Sequence, residues 1–220
     1  MPISRETPND TRSGNEPIYQ TSFVRHVHEV LKLGYKKLDA PTYARHEEED
    51  ITGELVRSMQ AALQDRNAPK WARNFWAAEE TRVNDPTRLG KRRCRIDIEI
   101  LKSQHGPRPR FRFEAKRLRG TTSRRDYLGN EGLGCFLDGR YAKDDEFAGM
   151  LGYVQSESIK SHAEKLEEVM AGKLDAYSVE TDGQWKKCEI VDDLASFVTK
   201  HRRKGELSAI TVIHTLLSFY

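Results

Sequence analysis

Arg95-Ile-Asp-Ile-Glu-Ile100 and Phe111-Arg-Phe-Glu-Ala-Lys116 each alternate apolar and charged residues, the period-two pattern of a half-buried strand. Side chains alternate across a strand. Ile96, Ile98, Ile100, Phe111, Phe113 and Ala115 are therefore expected on one face, and Asp97, Glu99, Glu114 and Lys116 on the other. Paired as a hairpin, the two strands would gather carboxylates around an ammonium. Carboxylate oxygens suit a hard divalent cation, and such a cation beside a lysine can polarise a phosphoryl group and an attacking water. The same alternation also suits a solvated hairpin face, on which Arg95, Asp97 and Glu99 form ordinary ion pairs with Arg112, Glu114 and Lys116.

Charge is distributed unevenly. The whole chain has a formal net charge of only +3, but residues 88–125 hold 14 Lys/Arg against the three acids Asp97, Glu99 and Glu114, a net of +11 that leaves −8 elsewhere. A local basic patch favours phosphate backbones through counterion release, and here it surrounds carboxylates that would otherwise repel them. Arg117, Arg119, Arg124 and Arg125 follow directly from the second strand, where they are expected to track a nucleic-acid backbone. Upstream, acids crowd the start of a helix expected from His46 to about Gln64, with apolar residues at Ile51, Leu55, Met59, Ala62 and Leu63. At about 100° per residue Glu48 falls near the middle of that apolar stripe, whereas Glu49, Asp50 and Glu54 point away. Stabilising the helix N-terminus is an equally good use for Glu47 to Asp50.

The order Asp97, a hairpin-sized gap, then Glu114-Ala-Lys116 resembles the PD-(D/E)xK nuclease superfamily. The resemblance implies an α/β fold of restriction-endonuclease-like type, a mixed central sheet flanked by helices. It also implies Mg²⁺, with Mn²⁺ able to substitute, held by Asp97, Glu114, the main-chain carbonyl of Ala115 and Glu48. Lys116 would orient or activate the attacking water, and DNA would be the substrate of a metal-dependent endonuclease. Ile96 stands where the superfamily's name has proline. Residues 136–142 and 148–154 are similar to segments of bacterial defence-associated members, which implies antiphage defence or restriction, a partner protein in a defence complex, or a homodimer. Two other expectations stay open: a catalytically silent module that binds nucleic acid or a protein, and an RNase.

The elements that must position these residues are less sharply written. Residues 1–14 are polar and aperiodic, the mark of a disordered tail, and 15–220 reads as a single nuclease-like domain. Asn15 and Pro17 suit a helix start and Gly34 its stop; His26 and His28 within it point to different faces, which disfavours a shared metal. A strand is expected over 74–83, a turn over 84–87, and a loop over 102–109 containing His105. Glycine, arginine, serine and threonine make 120–139 read as a loop, and Phe147, Met150, Leu151 and Val154 suggest a helix over 145–170. Residues 209–220 read as a strand. Its partner is expected over 197–203, which would bring His201 and His214 together, unless 192–200 is helical.

No apolar run approaches the roughly 20 residues of a membrane span, and the first 20 residues lack a signal peptide's apolar centre. Cys94, Cys135 and Cys188 are isolated and odd in number, which argues against a disulfide framework or a cysteine zinc site. A cytoplasmic protein is the expectation.

Overall fold

The structure is a computed structural model that describes residues 16–83, 93–104 and 108–220, with side chains from Thr21 onward. The expected tail, the Asn15 cap, the turn at 84–87 and His105 lie outside the described residues. Among the described residues five α-helices, α1 (Glu16–Lys37), α2 (Glu48–Leu63), α3 (Thr121–Leu128), α4 (Gly134–Leu137) and α5 (Ile159–Ala171), accompany seven strands. The strands are β1 (Phe75–Arg82), β2 (Arg95–Lys102), β3 (Arg110–Leu118), β4 (Phe147–Val154), β5 (Lys186–Cys188), β6 (Ala195–His201) and β7 (Ile210–Ser218). They form one mixed sheet in the order β1-β2-β3-β4-β7-β6-β5, with β3–β4 and β4–β7 parallel and every other pair antiparallel.

Helices cover both faces. On one, α1 and α2 set Val27, Leu31, Ile51, Leu55 and Met59 against Ile98, Ile100, Phe111 and Phe113. On the other, Tyr127, Leu133, Phe136 and Leu166 pack over Leu118, Met150, Val154 and Val212. Each such side chain taken fully from water contributes about 1.5–3 kcal/mol. Helix α2 forms because its buried positions, Ile51, Leu55, Met59 and Ala62, recur at helical spacing while Glu48, Glu49 and Asp50 complement the dipole at its start. Helix α1 runs past the expected stop at Gly34 to Lys37.

Two expected elements differ. Residues 145–170 are not one helix but β4 followed by α5. Strand β4 is central and parallel on both sides, so it is apolar on both faces, and its continuous apolar run also satisfies helical spacing. Gly149 belongs to the sheet's packing, because a Cβ there would strike the rings of Phe113 and Phe111 from the neighbouring strand. Residues 120–139, expected as a loop, contain α3 and α4; Arg124, Tyr127 and Leu128 supply the buried face of α3. Strand β6 begins at Ala195, which settles 192–200 in favour of strand and hairpin. No described helix is long and apolar enough to cross a membrane.

Candidate active site

The hairpin forks at Asp97. Strands β2 and β3 pair from Leu101↔Arg110 to Ile98↔Phe113, after which β3 continues paired only with β4, as far as Leu118↔Val154. The next N–H groups on that side of β3 are taken by carboxylates. Ala115 N–H donates to Asp97 Oδ2 at 2.7 Å, and Arg117 N–H donates to Glu48 Oε2 at 3.0 Å. Two acidic side chains thus stand in for the strand that has left, satisfying main-chain donors that would otherwise be orphaned.

Within the fork the Lys116 ammonium is the hub. Its Nζ donates to Glu48 Oε1 and Glu114 Oε1 at 2.9 Å each and to the Ala115 carbonyl at 2.8 Å. Glu114 is buried and Lys116 and Glu48 partly so. Burial, then the Asp97 charge, push the Glu114 pKa up to about 8. Burial also raises Asp97, against the pull of the Ala115 N–H and the Lys116 charge. Although burial disfavours its charge, Glu114 and then Glu48 hold the Lys116 ammonium above its usual range, so it stays protonated. Three carboxylates around one ammonium leave a buried excess of negative charge. Such an arrangement is a poor device for stability and a frequent mark of a functional site.

Among the described residues, no three His, Cys, Asp or Glu side chains form a group that could hold a metal ion as they stand. The donor chemistry nevertheless suits one. Glu48, Asp97, Glu114 and the Ala115 carbonyl are all oxygen donors, the set a hard cation prefers. Glu114 Oε2 is buried and has no hydrogen-bond partner.

Helix α2 is fixed from below and beside. The Tyr153 hydroxyl meets Thr52 Oγ1 at 3.0 Å, one turn beyond Glu48. Gln155, immediately after β4, donates through Nε2 to the carbonyls of Tyr43 and His46 at 2.8 and 3.0 Å and accepts from Arg119 Nε at 2.7 Å. Neither Tyr153 nor Gln155 was singled out from the sequence; a tyrosine in an apolar run reads as core, and a glutamine after it as surface.

Asp97 faces a cleft of about 390 Å³. Glu79 and Glu80 on β1 join Glu48 and Glu49 in lining it, a contribution the sequence signalled only as adjacent acids on an expected strand. Pairing of β1 with β2 passes from Glu79↔Ile98 to Thr81↔Ile96, so Glu80 falls opposite Asp97. There its backbone is left-handed, φ 48°, a conformation that costs a non-glycine residue about 1–2 kcal/mol. Its carboxylate accepts from Arg95 Nη1 at 2.6 Å. Glu99, although on the expected face, is buried in an ion pair with Arg112, whose Nη1 also reaches Asp145 Oδ2 at 2.7 Å.

The four arginines that follow Lys116 are placed unequally. Arg117 pairs with Glu47 at 2.5 Å, and Arg119 is tied to Gln155 and the His46 carbonyl. Arg124 is buried, with Nη1 3.4 Å from His162 Nδ1 and Nη2 donating to Thr121 Oγ1 at 3.2 Å. Arg125 is exposed. His201 and His214 do come together, through Thr199 Oγ1 at 2.7 and 2.8 Å, in a buried chain that ends at Tyr127 and the Tyr177 carbonyl. His28 is buried edge-on to Phe111 and Phe113, and Cys135 and Cys188 are free thiols.

Compared with protein-family models, with curated proteins and with solved structures, the chain matches none. Its chemistry has to be read from the fork itself.

Proposed function

We propose that the chain is a divalent-cation-dependent nuclease of restriction-endonuclease-like fold that hydrolyses phosphodiester bonds in DNA. The observation that carries this reading is the meeting of Glu48 and Glu114 at Lys116, with Asp97 on the adjacent Ala115 N–H, at the point where β2 parts from β3. Glu48, Asp97, Glu114 and the Ala115 carbonyl would hold Mg²⁺ or Mn²⁺, which when bound neutralises phosphate charge and lowers the pKa of water.

Lys116 supplies fixed positive charge. Held protonated by its acidic neighbours, it acts by orienting water and stabilising charge that develops on the phosphate, not by abstracting a proton. Asp97 keeps its orientation through Ala115 N–H, and Glu48 through Arg117 N–H, so both carboxylates are aimed before substrate arrives. Glu114, buried and part of the time protonated, is the member that must lose its proton for the site to take a cation.

The test is incubation of the purified protein with plasmid, linear, single-stranded DNA and RNA, with Mg²⁺ and with EDTA. Metal-dependent cleavage that disappears in each of Asp97→Ala, Glu114→Ala and Lys116→Ala supports the reading, because residues acting as a unit each cost nearly as much as all three. Full activity in any of the three overturns it. Cleavage of RNA alone would reassign the substrate.

A further inference from the structure

Arg95 is the one cation among the described residues lining the cleft, whose other walls are Thr52 and the carboxylates of Glu48, Glu49, Glu79, Glu80 and Asp97. It lies two residues before Asp97 on β2, hence on the same face of the strand. Its main chain is pinned, since its carbonyl accepts the Tyr141 hydroxyl at 2.7 Å. Its guanidinium is solvent-accessible: the Arg95 and Glu80 side chains are 53% and 60% exposed although their atoms meet at 2.6 Å. Glu80 makes this contact from a backbone held left-handed, at the position opposite Asp97.

From this geometry we infer that Arg95 is the phosphate clamp of the cleft and Glu80 its latch. The inference rests on the nuclease reading and adds to it a residue that touches substrate. A guanidinium presents a planar fork that matches two phosphate oxygens, and an exposed carboxylate partner is a weak competitor for it. An incoming nucleic-acid backbone therefore takes Arg95 from Glu80. The freed Glu80 carboxylate remains in the acidic wall, where it is displaced from the strand that the phosphate approaches. Positive charge two residues from Asp97 places the bound phosphate beside the fork.

The two members of the pair must then act in opposite directions. Binding of a fluorescein-labelled 20-mer DNA, single-stranded and duplex, is measured by anisotropy with Mg²⁺ in a Glu114→Gln background, which lies outside the pair. Glu80→Gln is expected to tighten binding by about twofold to fivefold, the worth of an exposed ion pair, and Glu80→Gly to do the same. Arg95→Gln is expected to weaken binding by about tenfold, with the salt slope falling by roughly 0.7–0.9. Arg95→Lys should recover only part of the loss, because it keeps the charge without the fork. The double variant Arg95→Gln/Glu80→Gln should bind like Arg95→Gln alone. In the otherwise native enzyme Arg95→Gln should raise KM with kcat little changed. A parent protein that binds and cleaves DNA, but in which Arg95→Gln does not weaken binding or Glu80→Gln does not tighten it, overturns the clamp and leaves the nuclease standing. A parent that binds no nucleic acid overturns both.

Discussion

The Tyr153 hydroxyl and Thr52 Oγ1 lie 3.0 Å apart, joining the central strand β4 to helix α2 one turn beyond Glu48. Both side chains are buried, so the contact fixes the helix's rotation and with it the direction of the Glu48 carboxylate. Tyr153→Phe keeps the ring and leaves Thr52 without its partner. It is expected to cost about 1 kcal/mol in urea denaturation and to weaken Mg²⁺ binding by calorimetry, with the fold retained. Unchanged cation affinity would reduce the contact to packing.

Glu48 should matter more than its acidic neighbours. Its two oxygens accept from Lys116 Nζ and Arg117 N–H, so glutamine would face one of these donors with another donor. Glu49 is exposed, and Glu54 pairs with Arg57 on the same helix. Glu48→Gln is expected to slow cleavage by about 10–100-fold, and Glu49→Gln or Glu54→Gln much less. Equal rates for the three would take Glu48 out of the site.

Much of this site could be read from periodicity. Alternation kept Ile98, Ile100, Phe111, Phe113 and Ala115 in one core, and helix phase chose Glu48 over Glu49, because both are local rules with a fixed angle per residue; Ile96, expected with Ile98 and Ile100, packs instead in the core of the other face. The fork could not be read, since a strand departing from its neighbour leaves no mark in either sequence. Glu99 illustrates the cost: alternation put it with Asp97, yet Arg112, shared with the distant Asp145, claims it. Strand β4 failed as a pattern because a run buried on both faces has no period. The burial of Arg124 was hidden for a related reason: in α3 a basic residue turns inward to meet His162, which lies on α5.

The fork should make metal-free stability fall with pH. Glu114 ionises near pH 4.5 when unexposed to the fold and near pH 8 within it, so the native state binds more protons between those values and stability declines as pH rises. Buried histidines act in the opposite sense below pH 6.5, which leaves the interval from about 6.5 to 8 to Glu114. Denaturation in EDTA should show lower stability at pH 8.5 than at 6.5. Glu114→Gln should flatten that slope, and Mg²⁺ should bind more tightly at the higher pH as the proton leaves. A wild-type profile that is level or rising over this interval would contradict the assignment.

His28 should dominate part of the acid limb. Burial lowers its pKa to about 4, against the help of the Val24 carbonyl, and its Nε2 is buried with no partner. The unfolded chain takes up the proton first, so stability is lost as pH falls from about 6.5 towards 4, by up to about 3 kcal/mol. His28→Leu fills the space against Phe111 and Phe113 with nothing to protonate. It is expected to move the acid-unfolding midpoint to lower pH with little change at pH 7, as followed by circular dichroism. An unmoved midpoint would assign the acid limb to His201 and His214, whose pKa values burial also lowers.

Neighbouring arginines should separate binding from folding. Arg125 is exposed, whereas Arg124 is buried between Thr121 and His162, although the two are adjacent on α3. If the basic segment meets phosphates, Arg125→Ala should weaken DNA binding uniformly across sequences and lower the salt slope by roughly 0.7–0.9, leaving the denaturation midpoint in place. Arg124→Ala should do the reverse. It leaves Nδ1 of the buried His162 without this partner, so a loss of about 1–3 kcal/mol is expected with the salt slope unchanged. Arg119→Ala should show both effects, since its guanidinium is held by Gln155 and the His46 carbonyl beside the start of α2. Salt titrations and urea melts on the same three proteins check all of this. An Arg124 variant that is fully stable but defective in binding would mean that its guanidinium turns outward to the nucleic acid.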